Sequence, residues 1–272
     1  MPSAWRGTRP LLPADVCLAG IGAVCYNKER TGRPGGEPPE HPVPPVRRLK
    51  ERLSMYIRNR ALSAGFKLLL AAAAAAGLAL HFGLLSGGRV DFGGLRYYTL
   101  LSNLLCFVYF LADGIAVAAC GHDILPRFKG ALTMGITVTG LVYHVMLSGI
   151  GFSMQSAMAA ANQLLHTFVP LMALLDWLLF DRKGRYRSSD PLLWVLLPDI
   201  YFVYVTLRGF LGGPVSVFPG GSRFPYFFMD YDLLGWRVLL YVAALHLFFI
   251  LLGYLFYGID RLLGKRAASR RG

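Results

Sequence analysis

The sequence predicts an all-α fold, a six-helix transmembrane bundle with both termini cytoplasmic. Three observations carry this expectation. Of 272 residues, 55% are hydrophobic and only 16% charged, with a mean hydropathy of +0.47, whereas soluble chains carry about a quarter charged residues. The apolar residues gather into six runs, each close to the roughly 20 residues that cross ~30 Å of hydrocarbon. The runs lack the period-2 alternation of a membrane barrel, and a helix satisfies its backbone polar groups within one segment.

Taken in order, residues 1–50 stand apart. The stretch "TGRPGGEPPEHPVPPVRR" is rich in Pro and Gly and too poor in apolar residues to build a core. It reads as a disordered cytoplasmic tail or as an over-extended gene start ahead of Met55. Residues 51–260 form the expected transmembrane domain. Its first span, Phe66–Ser86, contains "LLLAAAAAAGLAL", whose small side chains let a neighbouring backbone approach closely. The remaining spans are Tyr97–Ala119, Ala131–Ser153, Met158–Phe180, Pro191–Leu211 and Trp236–Gly258. A Gly/Pro-rich aromatic loop between Gly212 and Gly235 is expected on the outer face, and residues 261–272 form a basic cytoplasmic tail.

Charge placement sets the orientation. The chain carries a net charge of +13. With the amino terminus inside, 18 Lys and Arg flank the spans on the inner side and five on the outer. This is the positive-inside asymmetry of a cell-membrane protein, and the basic flanks suit anionic lipid headgroups as partners. No basic surface interleaved with aromatics accompanies the charge, so nucleic acid is not an expected partner. Cys17, Cys25, Cys106 and Cys120 contain no CxxC spacing and predict no disulfide framework.

Against this apolar background, "NQLLHTFVP" (Asn162 to Pro170) is costly. Thr99, Asn103, His144, Asn162, His166, Asp199 and His246 are all polar groups inside expected spans. Singly, hydroxyls can bond their own backbone and amides can fasten helices. Asp199 is harder to set aside, because an intramembrane carboxylate costs about 2.5–3.5 kcal/mol on insertion scales. At 1.5 Å per residue these groups fall roughly 3–18 Å below the outer boundary. The pairs Thr99/Asn103 and Asn162/His166 are spaced i, i+4 and share a helix face.

Two chemistries fit the set. In one, His166 deprotonates the Thr99 hydroxyl, which attacks an acyl carbonyl, and Asn103 or Asn162 stabilises the oxyanion. In the other, His144, His166, His246 and Asp199 ligate a zinc-like ion. No HExxH or comparable spacing supports the second, so the expectation carried forward has no metal and no cofactor.

The segments "LRYYTLLSNLL", "HTFVPLMALLDWLLFD" and "FPYFFMD" resemble, in that order, the androgen-induced/androgen-dependent six-helix membrane protein superfamily, and most of all its bacterial integral membrane relatives. The resemblance covers about residues 60–258. It implies an intramembrane threonine hydrolase of lipid or acyl esters, with Thr99 as catalytic nucleophile and His166 as base. Asn103, His144, Asn162, Asp199 and His246 would then be a supporting polar cavity. Two further expectations stand beside it: a transporter or small-molecule-binding protein using the same cavity, and a structural membrane protein whose polar residues only fasten helices.

Overall fold

The computed structural model describes residues 57–85, 90–147, 156–212 and 221–269. The expected tail over 1–50, Cys17, Cys25 and the centre of the loop after Gly212 lie outside the described residues.

Every described segment of regular structure is helical. The α-helices are α1 (Arg60–His81), α2 (Tyr98–Cys120), α3 (Pro126–Val142), α4 (Ser156–Gln163), α5 (Val169–Phe180), α6 (Asp190–Trp194), α7 (Leu196–Leu211), α8 (Tyr231–Leu234) and α9 (Val238–Ser269). Two π-helical turns, Tyr143–Leu147 and Leu164–Phe168, extend α3 and join α4 to α5. Among the described residues, five segments are long and apolar enough to cross a membrane: Arg60–His81, Tyr98–Cys120, Ala157–Phe180, Asp190–Leu211 and Tyr231–Lys265. The described residues are thus all-helical, and their apolar helices are compatible with a multi-pass membrane protein. The expected third span, Ala131–Ser153, is not among these five; α3 and its π turn cover its first part, and residues 148–155 lie outside the described residues.

Local chemistry sets the helix boundaries. The Asn59 side chain accepts from the Leu62 amide and starts α1. Gly121, at φ 75°, closes α2 in the left-handed conformation, and Pro126 opens α3. The last helix differs from expectation. Instead of stopping near Gly258 it continues to Ser269, through most of the basic tail. No proline interrupts it, and Lys and Arg near a helix C-terminus interact favourably with its dipole. Gly264 also permits a close pass: a Cβ there would lie 2.9 Å from the Gly184 Cα.

Small residues bring the helices together as the alanine run predicts. Ala71, Ala73 and Ala74 pack in one core with Cys106, Tyr109, Phe110, Ile136, Val169 and Ala173. A Cβ on Gly77 would sit 2.7 Å from Leu165, and one on Gly114 would sit 2.9 Å from Leu68. A second core gathers Trp177, Trp194, Tyr186, Met134 and Phe256, with Trp177 stacked on Phe256 at 4.7 Å. The two cores fix α1, α2, α3 and α5 as a frame on which the polar groups are carried.

Candidate functional site

Thr99 lies in the first turn of α2, which the Tyr97 side chain does not cap. Other groups hold that turn. The Tyr98 amide donates to the Tyr226 phenol oxygen at 3.0 Å. The Thr99 carbonyl accepts from the Ser102 hydroxyl at 3.0 Å and from the Asn103 amide at 2.8 Å. The Tyr201 hydroxyl, beside them, donates to the Arg96 carbonyl at 2.9 Å. Two of the segments singled out in the sequence, "LRYYTLLSNLL" and "FPYFFMD", therefore meet at the first turn of α2, although Tyr98 and Tyr226 are 128 residues apart.

A cavity of about 100 Å³ opens beside Thr99. Its walls are mostly apolar, from Val138, Phe202, Phe228, Leu245 and Phe249 among others, and its polar groups include Thr99, Asp199 and His246. His246 Nδ1 lies 3.1 Å from Asp199 Oδ1. The two side chains are 44% and 42% exposed, so the pair stands at the rim of the cavity, between α7 and α9. A carboxylate on Nδ1 fixes the ring and leaves Nε2 free to take a proton, the division of labour that an activated hydroxyl requires.

His144, Asn162 and His166 form a separate group, and its geometry follows from Pro170. In the π turn the Val169 amide bonds the Leu164 carbonyl, five residues back. The Leu165 carbonyl would next pair with residue 170, but proline has no N–H. Asn103 supplies the missing donor, its amide lying 3.1 Å from the Leu165 oxygen. Both Asn103 N–H groups are thus taken up by carbonyls, of Thr99 and Leu165, which leaves none for an oxyanion. Around the turn, His166 stacks on Tyr143 at 4.3 Å and its Nδ1 lies 3.2 Å from the Asn162 carbonyl. Asn162 donates to the Tyr143 phenol. His144 Nε2 lies 3.0 Å from the Thr167 hydroxyl.

The residues expected as one constellation thus fall into two groups. Thr99, Asp199 and His246 line the cavity, whereas His166 does not. Among the described residues no hydrogen bond links Thr99 to His166, and no three His, Cys, Asp or Glu gather in a metal-binding arrangement.

A third cluster lies nearer the opposite end of the bundle. Lys67 and Lys129, which the charge count treats as membrane-flanking, are fully buried. Lys67 Nζ lies 2.8 Å from Asp176, 3.6 Å from Asp113 and 3.8 Å from Asp123. Lys129 pairs with Asp176 and Asp181 and lies 3.9 Å from Asp113. Phe180 lies under Lys67 and Phe110 under Lys129, at 5.7 and 5.8 Å from the ring centroids. Beyond the cluster, Lys183 sits 4.1 Å over the Trp177 ring, and burial pushes its ammonium down to about 8. Asp113 and Asp176 both interrupt apolar runs of the sequence, and the rule that singles out Asp199 applies equally to them.

No family model matches this chain, and no curated protein or solved structure matches it either. What it does must therefore be read from its own geometry.

Proposed function

We infer that this chain is an integral protein of the cell membrane that hydrolyses acyl esters of lipids, with Thr99 as nucleophile and His246, oriented by Asp199, as general base. The observation that carries this reading is the single cavity shared by the Thr99 hydroxyl and the Asp199–His246 pair. As Thr99 Oγ attacks the ester carbonyl, its proton passes to His246 Nε2. His246 then returns that proton to the departing alkoxide. Water, deprotonated by the same ring, cleaves the acyl-threonine and regenerates the hydroxyl. The Tyr226 phenol pins the first turn of α2 through the Tyr98 amide, and the aromatic and aliphatic walls suit an acyl chain. A rim between α7 and α9 admits such a chain sideways from the bilayer.

The family resemblance supports the same nucleophile but gives the base to His166. A fluorophosphonate activity probe on the full chain in membranes separates the two assignments. Wild type and His166→Ala should label, whereas Thr99→Ala and His246→Ala should lose labelling at unchanged expression. Loss with His166→Ala and retention with His246→Ala would return the base to His166. Equal labelling of wild type and Thr99→Ala would overturn the hydrolase reading.

A second reading, a transporter or small-molecule binder, is favoured by the half-exposed Asp199–His246 pair at a largely apolar cavity. Solute or proton uptake in proteoliposomes that needs both residues and tolerates Thr99→Ala would replace the first reading.

A further inference from the structure

An ester carbonyl attacked by a hydroxyl becomes an oxyanion, and a largely apolar cavity must supply hydrogen-bond donors where that charge develops. Most donors around Thr99 are already engaged. Asn103 serves the Thr99 and Leu165 carbonyls. Ser102 and Thr139 lie 3.0 Å apart, and their hydroxyls also turn to the Thr99 and Gly135 carbonyls. The Tyr201 hydroxyl donates to the Arg96 carbonyl.

Tyr226 differs from these. It lines the same cavity as Thr99, and the bond that places it uses its oxygen as acceptor, for the Tyr98 amide at 3.0 Å. A phenol also carries one proton to donate, and that bond leaves it unused. The ring is set by Phe228, stacked at 5.1 Å, and by a T-shaped contact with Tyr97 at 5.8 Å. The residue after Tyr98 is Thr99, so the phenol stands next to the nucleophile's own amide. That amide belongs to the first turn of α2, whose N–H groups have no intrahelical acceptor. Its neighbours are engaged, the Tyr98 amide by Tyr226 and the Leu100 and Leu101 amides by the Tyr97 carbonyl. Among the described residues no hydrogen bond takes up the Thr99 amide.

We propose that Tyr226 is a further catalytic residue of this cavity: its hydroxyl donates to the carbonyl oxygen that becomes the oxyanion, with the Thr99 amide beside it as second donor. The proposal rests on the hydrolase reading. As the bond from Thr99 Oγ to the carbonyl carbon forms, the Thr99 proton passes to His246 and the carbonyl π pair moves onto oxygen. The two donors hold that oxygen by hydrogen bonds and transfer no proton to it. When the pair returns, the bond to the alkoxide breaks, and the alkoxide takes the proton from His246. Donors placed for the tetrahedral oxygen act on the barrier and little on substrate binding.

The test uses the full chain purified in detergent, with p-nitrophenyl butyrate as substrate. Hydrolysis that is lost in Thr99→Ala is the result on which the hydrolase reading stands. Tyr226→Phe should then lower kcat about a hundredfold or more, with KM little changed. That substitution also removes the acceptor of the Tyr98 amide, so a second variant separates the two roles. Replacing Tyr226 by 3,5-difluorotyrosine keeps the oxygen as acceptor, but the fluorinated phenol ionises at lower pH, and a phenolate has no proton to donate. Its kcat relative to wild type should fall as pH rises. A phenol that only positioned the helix would show no such fall. Wild-type kcat in Tyr226→Phe, or a wild-type pH profile in the difluorotyrosine enzyme, overturns the proposal and leaves the hydrolase reading standing. Equal hydrolysis by wild type and Thr99→Ala overturns that reading and the proposal with it. If Tyr226→Phe does not fold, the difluorotyrosine profile decides alone.

Discussion

Asn103 shows how one proline propagates into a second helix. Pro170 cannot donate to the Leu165 carbonyl, and Asn103 answers from α2 at 3.1 Å. Asn103 is fully buried, so Asn103→Ala orphans a buried carbonyl and should cost about 1–3 kcal/mol, read as a lower Tm in detergent. In a Pro170→Ala background the restored amide gives the π turn its own donor. The cost of Asn103→Ala should therefore fall there, and strict additivity of the two substitutions would show that they are not linked. The sequence marked Asn103 as a candidate oxyanion donor because it is polar and four residues from Thr99. Spacing reports which residues share a face; it carries no information about which carbonyl a distant proline leaves unpaired.

At the scale of elements, the buried ions join α1, α2, α3 and α5 through Lys67, Asp113, Lys129 and Asp176. Removing one partner of such a cluster leaves an uncompensated buried charge, so Lys67→Met should destabilise by about 3–5 kcal/mol. Asp113→Asn should be far milder. Asp113 lies farther than Asp176 from both ammonium groups, and an amide oxygen can still accept from the Ile124 amide as Oδ1 does at 2.8 Å. Equal losses of Tm in the two variants would contradict this ranking. The helices themselves were legible, because apolar runs of span length have few other solutions in lipid. Lys67 and Lys129 were legible only as charges near helix ends. Their burial depends on four carboxylates, Asp113, Asp123, Asp176 and Asp181, and no local pattern around residue 67 points to residues 113 or 176. The π turns were likewise hidden, since their register is settled by packing around Tyr143 and His166 and by Pro170 together.

For the whole molecule, the charge asymmetry makes a direct forecast of topology. With native cysteines replaced by alanine, Ser188→Cys should react with a membrane-impermeant maleimide only when the inner face is accessible. Val90→Cys should react from outside intact cells. The reverse pattern would invert the bundle. The polar set near Thr99 was legible as a list, but its division was not: Asp199 and His246 come together from segments 47 residues apart, and that pairing is a property of how α7 and α9 pack. The Lys67–Asp176 contact has a consequence in time as well as in space. The two residues are separated by 109 positions, which a ribosome adding about 5–20 residues per second needs several seconds or more to cover. During that interval α1 holds an ammonium in or beside the bilayer without its closest counter-ion. The first helix therefore cannot settle into its final place on its own; it waits for the chain that follows, and a nascent protein halted before residue 176 should remain in the care of the insertion machinery.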